Sequence, residues 1–291
     1  MNGKLKYLSW CARASLDPRR RCCPACGSRQ TTLIERKWMV AWLARCRQCQ
    51  LIYRAPTDSV KRNQSYYETE YDMGYTTDCP SPQELCELVS SRFVGTNRDY
   101  SVYLELLKDL GARPGMRLLD FGASWGYGTW QLRDAGYDTV GFEISRSRAR
   151  YARDELGVTV WTAPNEIEDG FDVHFSSHVI EHVPKLLDTF HQAMTWLKPG
   201  GMMVAITPSG CATFRDQNPA AFRKRWGRDS PNLLNKEFYW HAFEHQPRLI
   251  ASRPYAREAI AAWDGTGAVV VDDLVGDELL FVAKNEPVGE G

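Results

Sequence analysis

Two carboxylates and a loop of small residues have the types and the spacing of a ligand-binding site. An apolar run ends at Asp120, small residues occupy much of positions 122–126, and a second apolar run ends at Glu143. Gly122 and Gly126 let a ligand come close to the backbone, which a Cβ atom would prevent. An acid in the position of Glu143 can accept hydrogen bonds from both hydroxyls of a ribose. The pattern therefore predicts a site for a cofactor that contains a nucleoside.

The glycine spacing does not fit the dinucleotide fingerprint G-x-G-x-x-G. Counted from Gly122, the third position is Ser124 and the sixth is Tyr127, whereas that fingerprint has glycine at both. Asp120 would also repel a pyrophosphate, but it suits a cationic or zwitterionic ligand. The segment resembles motif I of class I S-adenosylmethionine (SAM) methyltransferases, (D/E)-x-G-x-G-x-G, with Ser124 in place of the middle glycine and Glu143 as the ribose-binding acid.

Three downstream segments extend the resemblance over residues 97–286. FDVHFSSHVIEHV (171–183) resembles the fourth strand of the family and the loop after it. WLKPGGMMVAITPS (196–209) resembles the Leu-x-Pro-Gly-Gly turn and the fifth strand, and DELLFVAKN (277–285) the antiparallel seventh strand. The resemblance implies an α/β fold with a Rossmann-like doubly wound sheet of seven strands, the last antiparallel, and methyl transfer from SAM.

The resemblance also implies which residues contact the cofactor. Asp120 is expected to orient the loop and the methionine amino group, Glu143 to hold the ribose hydroxyls, and Ile144 to lie against the adenine. The hydroxyl of Ser124 is able to bond the methionine carboxylate. The expected cofactor-binding residues follow the first, second and fourth strands: Asp120, Phe121, Gly122, Ala123, Ser124, Gly126, Glu143, Ile144 and Ser177.

Three histidines are candidate catalytic residues. Methyl transfer depends mainly on the alignment of donor and acceptor, and the acceptor often needs a base to expose its lone pair. Histidine titrates near neutral pH and suits that role. His178 and His182 follow the fourth predicted strand, and His241 lies in an aromatic-rich stretch at 208–246.

The pattern His178-x-x-Glu181-His182 leaves other interpretations open. It matches the H-x-x-E-H pattern of inverted zinc proteases, but its position after a strand in a methyltransferase frame argues against a protease. Ubiquinone-pathway O-methyltransferases resemble this stretch with Glu-x-x-Glu-His, proposed there as a divalent metal site, whereas the first position here is His178. Alternatively, Glu181 and His182 only shape the loop.

Four cysteines have the spacing of a structural zinc site. The pattern Cys23-x2-Cys26-x19-Cys46-x2-Cys49 falls in the range of four-thiolate zinc modules, which leave no open coordination position. Zinc binding contributes about 10 kcal/mol or more to the folding of such a module. Cys22 is able to replace Cys23 as a ligand, and the alternative is a group of buried or redox-active thiols.

These residues must be positioned by a small module and a larger domain. We predict a zinc-ribbon-like module, a connector or lid, a methyltransferase domain and a disordered tail: 1–57, 58–96, 97–286 and 287–291. The connector carries four tyrosines that suit a lid over the cofactor cleft or surface packing: Tyr66, Tyr67, Tyr71 and Tyr75. The stretch at 208–246 interrupts the domain and is expected to form an acceptor pocket, a lid or a packed cap.

Strands and helices alternate along the predicted domain, which indicates a parallel sheet covered on both faces. The predicted strands are 117–121, 139–143, 158–161, 171–176, 202–207, 268–272 and 278–283. The predicted helices are 84–94, 97–110, 126–135, 145–156, 185–197 and 247–263.

Composition and charge exclude some classes of protein. The 291 residues are 43% hydrophobic and 25% charged, as in globular proteins. The sequence contains neither a secretory signal nor a run of 18 apolar residues, so we expect no membrane span and a cytosolic location. Residues 1–62 carry 14 Lys and Arg against three acids, and residues 63–291 carry 22 against 33. The basic part suits nucleic acid, an anionic acceptor or the acidic domain itself.

Three functions remain open, and we favour the first. The chain is predicted to methylate a small molecule or a saccharide. Alternatively, it methylates RNA and grips phosphates with its basic zinc module, although Ser176-Ser177-His178-Val179 differs from the Asn/Asp-Pro-Pro-aromatic motif of exocyclic-amine methylation. The third function is a non-catalytic adaptor that binds SAM. The acceptor atom and the oligomeric state do not follow from the sequence.

Overall fold

The computed structural model describes residues 3–69, 77–228 and 230–286, which form two β-sheets and the helices around them. The small sheet contains four strands: β1 (Thr31–Lys37), β2 (Ala41–Cys46), β3 (Ile52–Ala55) and β9 (Asn232–Leu233). The large sheet contains eight: β4 (Arg117–Phe121), β5 (Asp138–Phe142), β6 (Val160–Trp161), β7 (Phe171–Ser177), β8 (Leu197–Pro208), β10 (Arg248–Ser252), β11 (Ala268–Val270) and β12 (Glu278–Lys284).

Helices precede, connect and follow these strands. They are α1 (Gly3–Ala14), α2 (Val60–Thr69), α3 (Pro82–Ser90), α4 (Ser101–Asp109), α5 (Tyr127–Asp134), α6 (Arg146–Leu156), α7 (Leu186–Trp196), α8 (Ala212–Gln217), α9 (Pro219–Arg225), α10 (Lys236–Ala242) and α11 (Arg257–Ala261). Three short 3₁₀ turns complete the description: Pro18–Arg21, Pro164–Glu166 and Ile180–His182. Tyr71, Tyr75 and the predicted disordered tail at 287–291 lie outside the described residues, as does the side chain of Tyr67.

The large sheet has the predicted Rossmann-like topology. Its strand order is β11-β10-β12-β8-β7-β4-β5-β6. β12 is antiparallel to β10 and β8, and the other neighbouring strands are parallel. Helices α5 and α6 connect β4 to β5 and β5 to β6. The prediction of a mostly parallel sheet with an antiparallel final strand is confirmed, with eight strands in place of seven.

The additional strand is β10, where a helix was predicted. The prediction of one helix over 247–263 is wrong, because residues 248–252 pair with β12 on one side and β11 on the other. Leu249, Ile250 and Ala251 are fully buried there. Only α11 is helical, and Pro254 separates it from the strand. Since proline disrupts a helix interior, the sequence already contained a reason to divide this segment.

The stretch at 208–246 joins the two sheets. Its strand β9 pairs with β3, so that Leu233 lies opposite Ile52 and Asn232 opposite Tyr53. Its large aromatic side chains are mostly buried: Phe214, Phe222, Trp226, Phe238, Tyr239 and Phe243. Some pack with α1 and the small sheet, and others pack between that sheet and the large one. Of the three roles expected for this stretch, the structure favours a packed cap.

Candidate active site

Asp120 and Glu143 lie at the carboxyl ends of two adjacent parallel strands. Asp120 on β4 is opposite Gly141 on β5, and Glu143 follows β5 directly. Both side chains are buried. Burial raises the pKa of Asp120 to about 6, and the charge of Glu143 adds to this shift while the hydrogen bond from Thr129 Oγ1, at 2.7 Å, opposes it. The two acids therefore share one buried, negatively charged edge of the sheet.

The carboxylate of Glu143 holds the loop between the two strands. Its Oε2 accepts a hydrogen bond from the backbone N–H of Ser124 at 2.9 Å, and its Oε1 accepts one from the N–H of Ser145 at 2.7 Å. Burial raises the pKa of Glu143, although these backbone hydrogen bonds oppose the shift. Each carboxylate oxygen has a second lone pair, so Glu143 keeps acceptor capacity for two ligand hydroxyls.

Ser124, at the position of the middle glycine of the motif, has a backbone conformation that is typical of glycine. Its φ is +51°, in the left-handed region that glycine adopts most easily. Its hydroxyl is buried and has no hydrogen-bond partner within the described part of the chain. Buried polar groups are normally paired. The unpaired hydroxyl, in the loop that Glu143 holds, therefore fits a site that is completed by a polar ligand.

The two glycines of the loop are required by different neighbours. A Cβ atom on Gly122 would lie 2.2 Å from Val179 Cγ2, in the loop after β7. A Cβ atom on Gly126 would lie 2.7 Å from Ala152 Cβ on α6. Gly126 is therefore needed for the packing of α6 against the loop, and this reason is separate from its expected contact with the cofactor. That expected contact stays a prediction.

The other predicted cofactor residues lie along the same edge of the sheet. Phe121 and Ala123 are buried, and Ile144 packs against the main core. Ser177 ends β7, the strand that pairs with β4 on the side opposite β5. The structure thus places these candidates at the carboxyl ends of three neighbouring strands.

His178 lies between two carboxylates. Its Nε2 is 2.8 Å from Glu278 Oε2, and its Nδ1 is 3.7 Å from Glu181 Oε1. Partial desolvation of the ring lowers the pKa of His178, but its hydrogen bonds and charge interactions with Glu181 and Glu278 outweigh this effect and raise the pKa to about 10. A protonated imidazole has no lone pair to accept a proton. This geometry therefore does not favour His178 as a general base, and the predicted catalytic role is left without support.

Glu278 is a functional candidate that the sequence analysis missed. At the start of β12, this buried carboxylate accepts hydrogen bonds from Tyr255 at 2.8 Å and Tyr103 at 3.3 Å, and Arg253 lies 3.5 Å away. With His178, four side chains from three separate parts of the chain therefore converge on it. No local pattern marks such a residue, because its partners are up to 175 residues away.

The structure brings His178 and His182 to one carboxylate but leaves His241 apart. His182 Nε2 is 3.7 Å from Glu181 Oε1, and its carbonyl accepts a hydrogen bond from Asn63 Nδ2 at 2.9 Å. His241 is exposed on α10 and makes no hydrogen bond or ion pair within the described part of the chain. Its predicted catalytic role therefore has no supporting contact.

The four predicted zinc ligands form one compact group. The sulfur atoms of Cys23, Cys26, Cys46 and Cys49 all lie within 4.8 Å of one another. Cys23 Sγ is 3.5 Å from Cys49 Sγ, and Cys26 Sγ is 3.5 Å from Cys46 Sγ. Zn–S bonds of about 2.3 Å in a tetrahedron require similar separations. The sulfur positions therefore fit Zn²⁺. Within the described ranges, this is the one group with metal-site geometry, and the His178–His182 pattern does not form another.

Two similar turns present these sulfurs. The N–H of Gly27 donates to the carbonyl of Cys23 at 2.9 Å, and the N–H of Gln50 donates to the carbonyl of Cys46 at 3.1 Å. Gly27 and Gln50 both have positive φ, +73° and +67°. Each Cys-x-x-Cys segment thus closes into a tight turn, which is why the sequence spacing was informative.

Comparison with known proteins agrees with the geometry. Residues 95–263 match a family model described as a methyltransferase domain. A ubiquinone biosynthesis O-methyltransferase of Cereibacter sphaeroides is 32% identical over 117 residues, covering 37% of this chain and 44% of that protein. A phosphoethanolamine N-methyltransferase of Triticum aestivum is 27% identical over 135 residues, covering 43% of this chain and 27% of that protein.

Solved structures include similar chains. The geranyl diphosphate C-methyltransferase of Streptomyces coelicolor, solved with S-adenosyl-L-homocysteine, is 18% identical, with a TM-score of 0.48 over 77% of this chain and 97% of that one. The chain spans less than half the length of the curated relatives it matches. Among the residues that the structure describes, no helix combines the length and apolar composition needed to cross a membrane.

Proposed function

We propose that this chain, which belongs to the methyltransferase-domain family, is a SAM-dependent methyltransferase that methylates a small-molecule or saccharide acceptor bound beside His178 and Glu278. Bound SAM supplies an activated methyl group, which leaves its sulfur as the acceptor lone pair forms the new bond. The chain must therefore hold donor and acceptor in line and exclude water. The following assignments describe how its own residues do so.

The proposed cofactor site is the loop between Asp120 and Glu143. The observation that carries this assignment is the buried hydroxyl of Ser124, which has no hydrogen-bond partner among the described residues and lies in the loop that joins the strands of the two buried carboxylates. Glu143 would accept hydrogen bonds from the ribose hydroxyls with its remaining lone pairs. Asp120 would attract the cationic methionine amino group, and Ser124 would donate to the methionine carboxylate. Gly122 lets the loop after β7 approach this site, because a Cβ atom there would collide with Val179.

The proposed acceptor site is the Glu278 network. Glu278 is buried, whereas the side chain of His178 is 44% exposed and Arg253 is 51% exposed. The hydroxyls of Tyr103 and Tyr255 join the same carboxylate. Hydroxyl, imidazolium and guanidinium groups suit the hydroxyl or carboxyl groups of a small acceptor. In this assignment His178 is a positioning residue, because the two carboxylates fix its ring and its charge.

The N-terminal module is proposed to hold a structural Zn²⁺. Four thiolates fill its coordination sphere, so the ion would stabilise the module and take no part in methyl transfer. The core around Cys23, Cys46 and Cys49 is continuous with Leu234 and Phe238 of the 208–246 stretch. The ion would therefore also stabilise the contact between the module and the large sheet.

Labelled SAM distinguishes the proposed acceptor class from the alternatives. The full chain is incubated with methyl-labelled SAM and either filtered metabolites or purified RNA from the same cells. We expect label in the metabolite fraction and none above background in RNA. Label confined to RNA would reject the proposal in favour of the RNA methyltransferase, and SAM binding without label in any cell fraction would favour the adaptor.

A further inference from the structure

We propose that a basic pocket between α1 and α2 binds the phosphate group of a small phosphorylated molecule. The cavity has a volume of about 250 Å³. Of the described residues that line it, four are cationic, two are aromatic and none is acidic: Lys6, Arg13, Arg62, Arg228, Tyr7 and Trp10. The pocket lies outside the SAM-binding loop and the zinc-ligand group, so its charge is not explained by either.

Two of the four cations that line the pocket lack an ion pair within the described chain. Lys6 and Arg13 are exposed on α1 and make no ion pair or side-chain hydrogen bond within the described chain. Among the described residues, Asp58 is a nearby carboxylate, and it is already bonded to Arg54 and, at 3.1 Å, to Arg62 Nε. Like charges held close together raise the free energy of the unbound pocket, and an anion relieves that repulsion.

A buried arginine beside the pocket strengthens this argument. The side chain of Arg54 is fully buried, and its Nε and Nη1 have no hydrogen-bond partner in the described part of the chain. Its guanidinium carbon is 5.1 Å from the ring centroid of Trp10, which lines the pocket. One carboxylate, that of Asp58, thus serves two guanidinium groups.

Aromatic rings hold the arginines of the pocket in place. The guanidinium carbon of Arg62 is 4.1 Å from the ring centroid of Trp10, and that of Arg228 is 4.7 Å from the centroid of Tyr66. The terminal nitrogens of Arg62 have no protein acceptor among the described residues. A planar guanidinium fixed by a ring presents two parallel N–H groups, the geometry that matches phosphate oxygens.

The size of the cavity favours a phosphate or diphosphate group over a nucleic-acid strand. Sites for drug-sized ligands measure about 300–1,000 Å³, so this cavity holds the anionic end of a molecule. A neighbouring contact connects it to the loop after β7, which also carries His178 of the proposed acceptor site. Asn63 follows Arg62 on α2 and donates to the carbonyl of His182, in the turn after β7. The phosphate belongs either to the acceptor or to a separate metabolite.

Calorimetry with inorganic phosphate and pyrophosphate tests the pocket on the full chain. We expect saturable binding, with pyrophosphate tighter than phosphate. Lys6→Glu combined with Arg13→Glu is expected to weaken pyrophosphate binding at least about tenfold, because two charge-assisted contacts are lost. The matched control is Lys61→Glu, which reverses a charge on α2 outside the pocket lining and should change the affinity less than about twofold. Thermal unfolding verifies that the variants are folded.

Three results would overturn the proposal. The first is that the wild type shows no saturable binding of phosphate or pyrophosphate. The second is that Lys61→Glu weakens pyrophosphate binding as much as the double variant does. The third is that single-stranded RNA binds more tightly than pyrophosphate and loses affinity in every charge-reversal variant. The source of the phosphate follows from SAM titrations repeated with pyrophosphate, since an effector would change SAM affinity and an acceptor fragment would not. SAM affinity is measured separately, so failure of the pocket and failure of the cofactor assignment are distinguishable.

Discussion

His178 and Glu278 are 100 residues apart in the sequence, yet His178 Nε2 lies 2.8 Å from Glu278 Oε2. This contact joins the loop after β7 to the start of β12, at the edge of the sheet where SAM is proposed to bind. Glu181 approaches the same ring from its other side. Two carboxylates thus keep one imidazole charged, and this relationship leads to the first prediction.

Glu278→Gln is expected to lower the pKa of His178 from about 10 towards its ordinary value of about 6.5, by at least one unit, because a neutral amide stabilises the imidazolium less than a carboxylate does. NMR titration of the histidine ring protons measures the shift. Glu258→Gln, at an exposed site on α11, is the control. An unchanged pKa in Glu278→Gln would show that the contact does not hold the proton.

Glu143→Ala is expected to weaken SAM binding by about 100-fold, because the ribose loses two hydrogen bonds to a charged group and the loop loses its anchor at Ser124. Isothermal titration calorimetry measures the affinity. Glu155→Ala, at an exposed position of α6, should bind SAM as the wild type does. Near-normal affinity in Glu143→Ala would contradict the assigned cofactor site.

Two substitutions in the loop are expected to act in opposite directions on stability. Gly126→Ala should destabilise the protein by about 2–3 kcal/mol, because φ is +88° and the new Cβ would lie 2.7 Å from Ala152 Cβ.

Ser124→Gly should stabilise the protein by about 1 kcal/mol through relief of left-handed strain, yet weaken SAM binding through loss of the hydroxyl. Urea unfolding and calorimetry test both effects. A destabilised Ser124→Gly would refute the strain argument.

His174 is expected to make stability depend on pH. Both ring nitrogens are buried and have no hydrogen-bond partner among the described residues, and burial lowers the pKa of His174 to about 4. Below pH 6.5 the unfolded chain binds this proton while the folded protein does not, so the free energy of unfolding falls as the pH drops from about 6.5 to about 4. The folded protein therefore loses about 3 kcal/mol of stability between pH 6.5 and pH 4, and above pH 6.5 none of this stability is lost.

His174→Leu should remove this part of the acid sensitivity. Urea unfolding at neutral and acidic pH compares the variant with the wild type. His191→Leu is the control, since His191 is exposed on α7. The idea fails if the two variants lose the same stability on acidification.

Zinc removal is expected to destabilise more than the N-terminal module. Cys46→Ser or a strong chelator should lower the melting temperature of the whole chain, because the cysteine core continues into the core of the large sheet. Elemental analysis should find one zinc per wild-type chain. Cys86→Ser, at an exposed site, should retain both zinc and stability. Protein that is purified without chelator and contains no zinc would reject the site.

Much of the fold and part of the candidate site were predictable from local patterns. The apolar run that ends at Asp120, the one that ends at Glu143 and the two Cys-x-x-Cys turns each lie within a few residues, and their geometry depends on neighbours in the chain. Parallel strands then place both acids at one edge, because every carboxyl end of such a sheet faces the same side.

The sequence analysis failed where pairing over long distances decides the outcome. Residues 248–252 became a strand because β11 and β12 offered hydrogen-bonding edges on both sides. A short apolar run does not distinguish a buried strand from a helix by its periodicity. The pairing of Leu233 with Ile52 likewise depends on where the two segments meet in space.

The sequence by itself determined the family, the order of the strands that carry the two acids, and the compact arrangement of the four cysteines, since each rests on spacing within a short segment. Only the tertiary structure decided that Glu278 would gather His178, Tyr103 and Tyr255, and that the 208–246 stretch would complete the small sheet. Burial of a charged or apolar group requires partners, and partners from distant segments are chosen by packing of the whole chain.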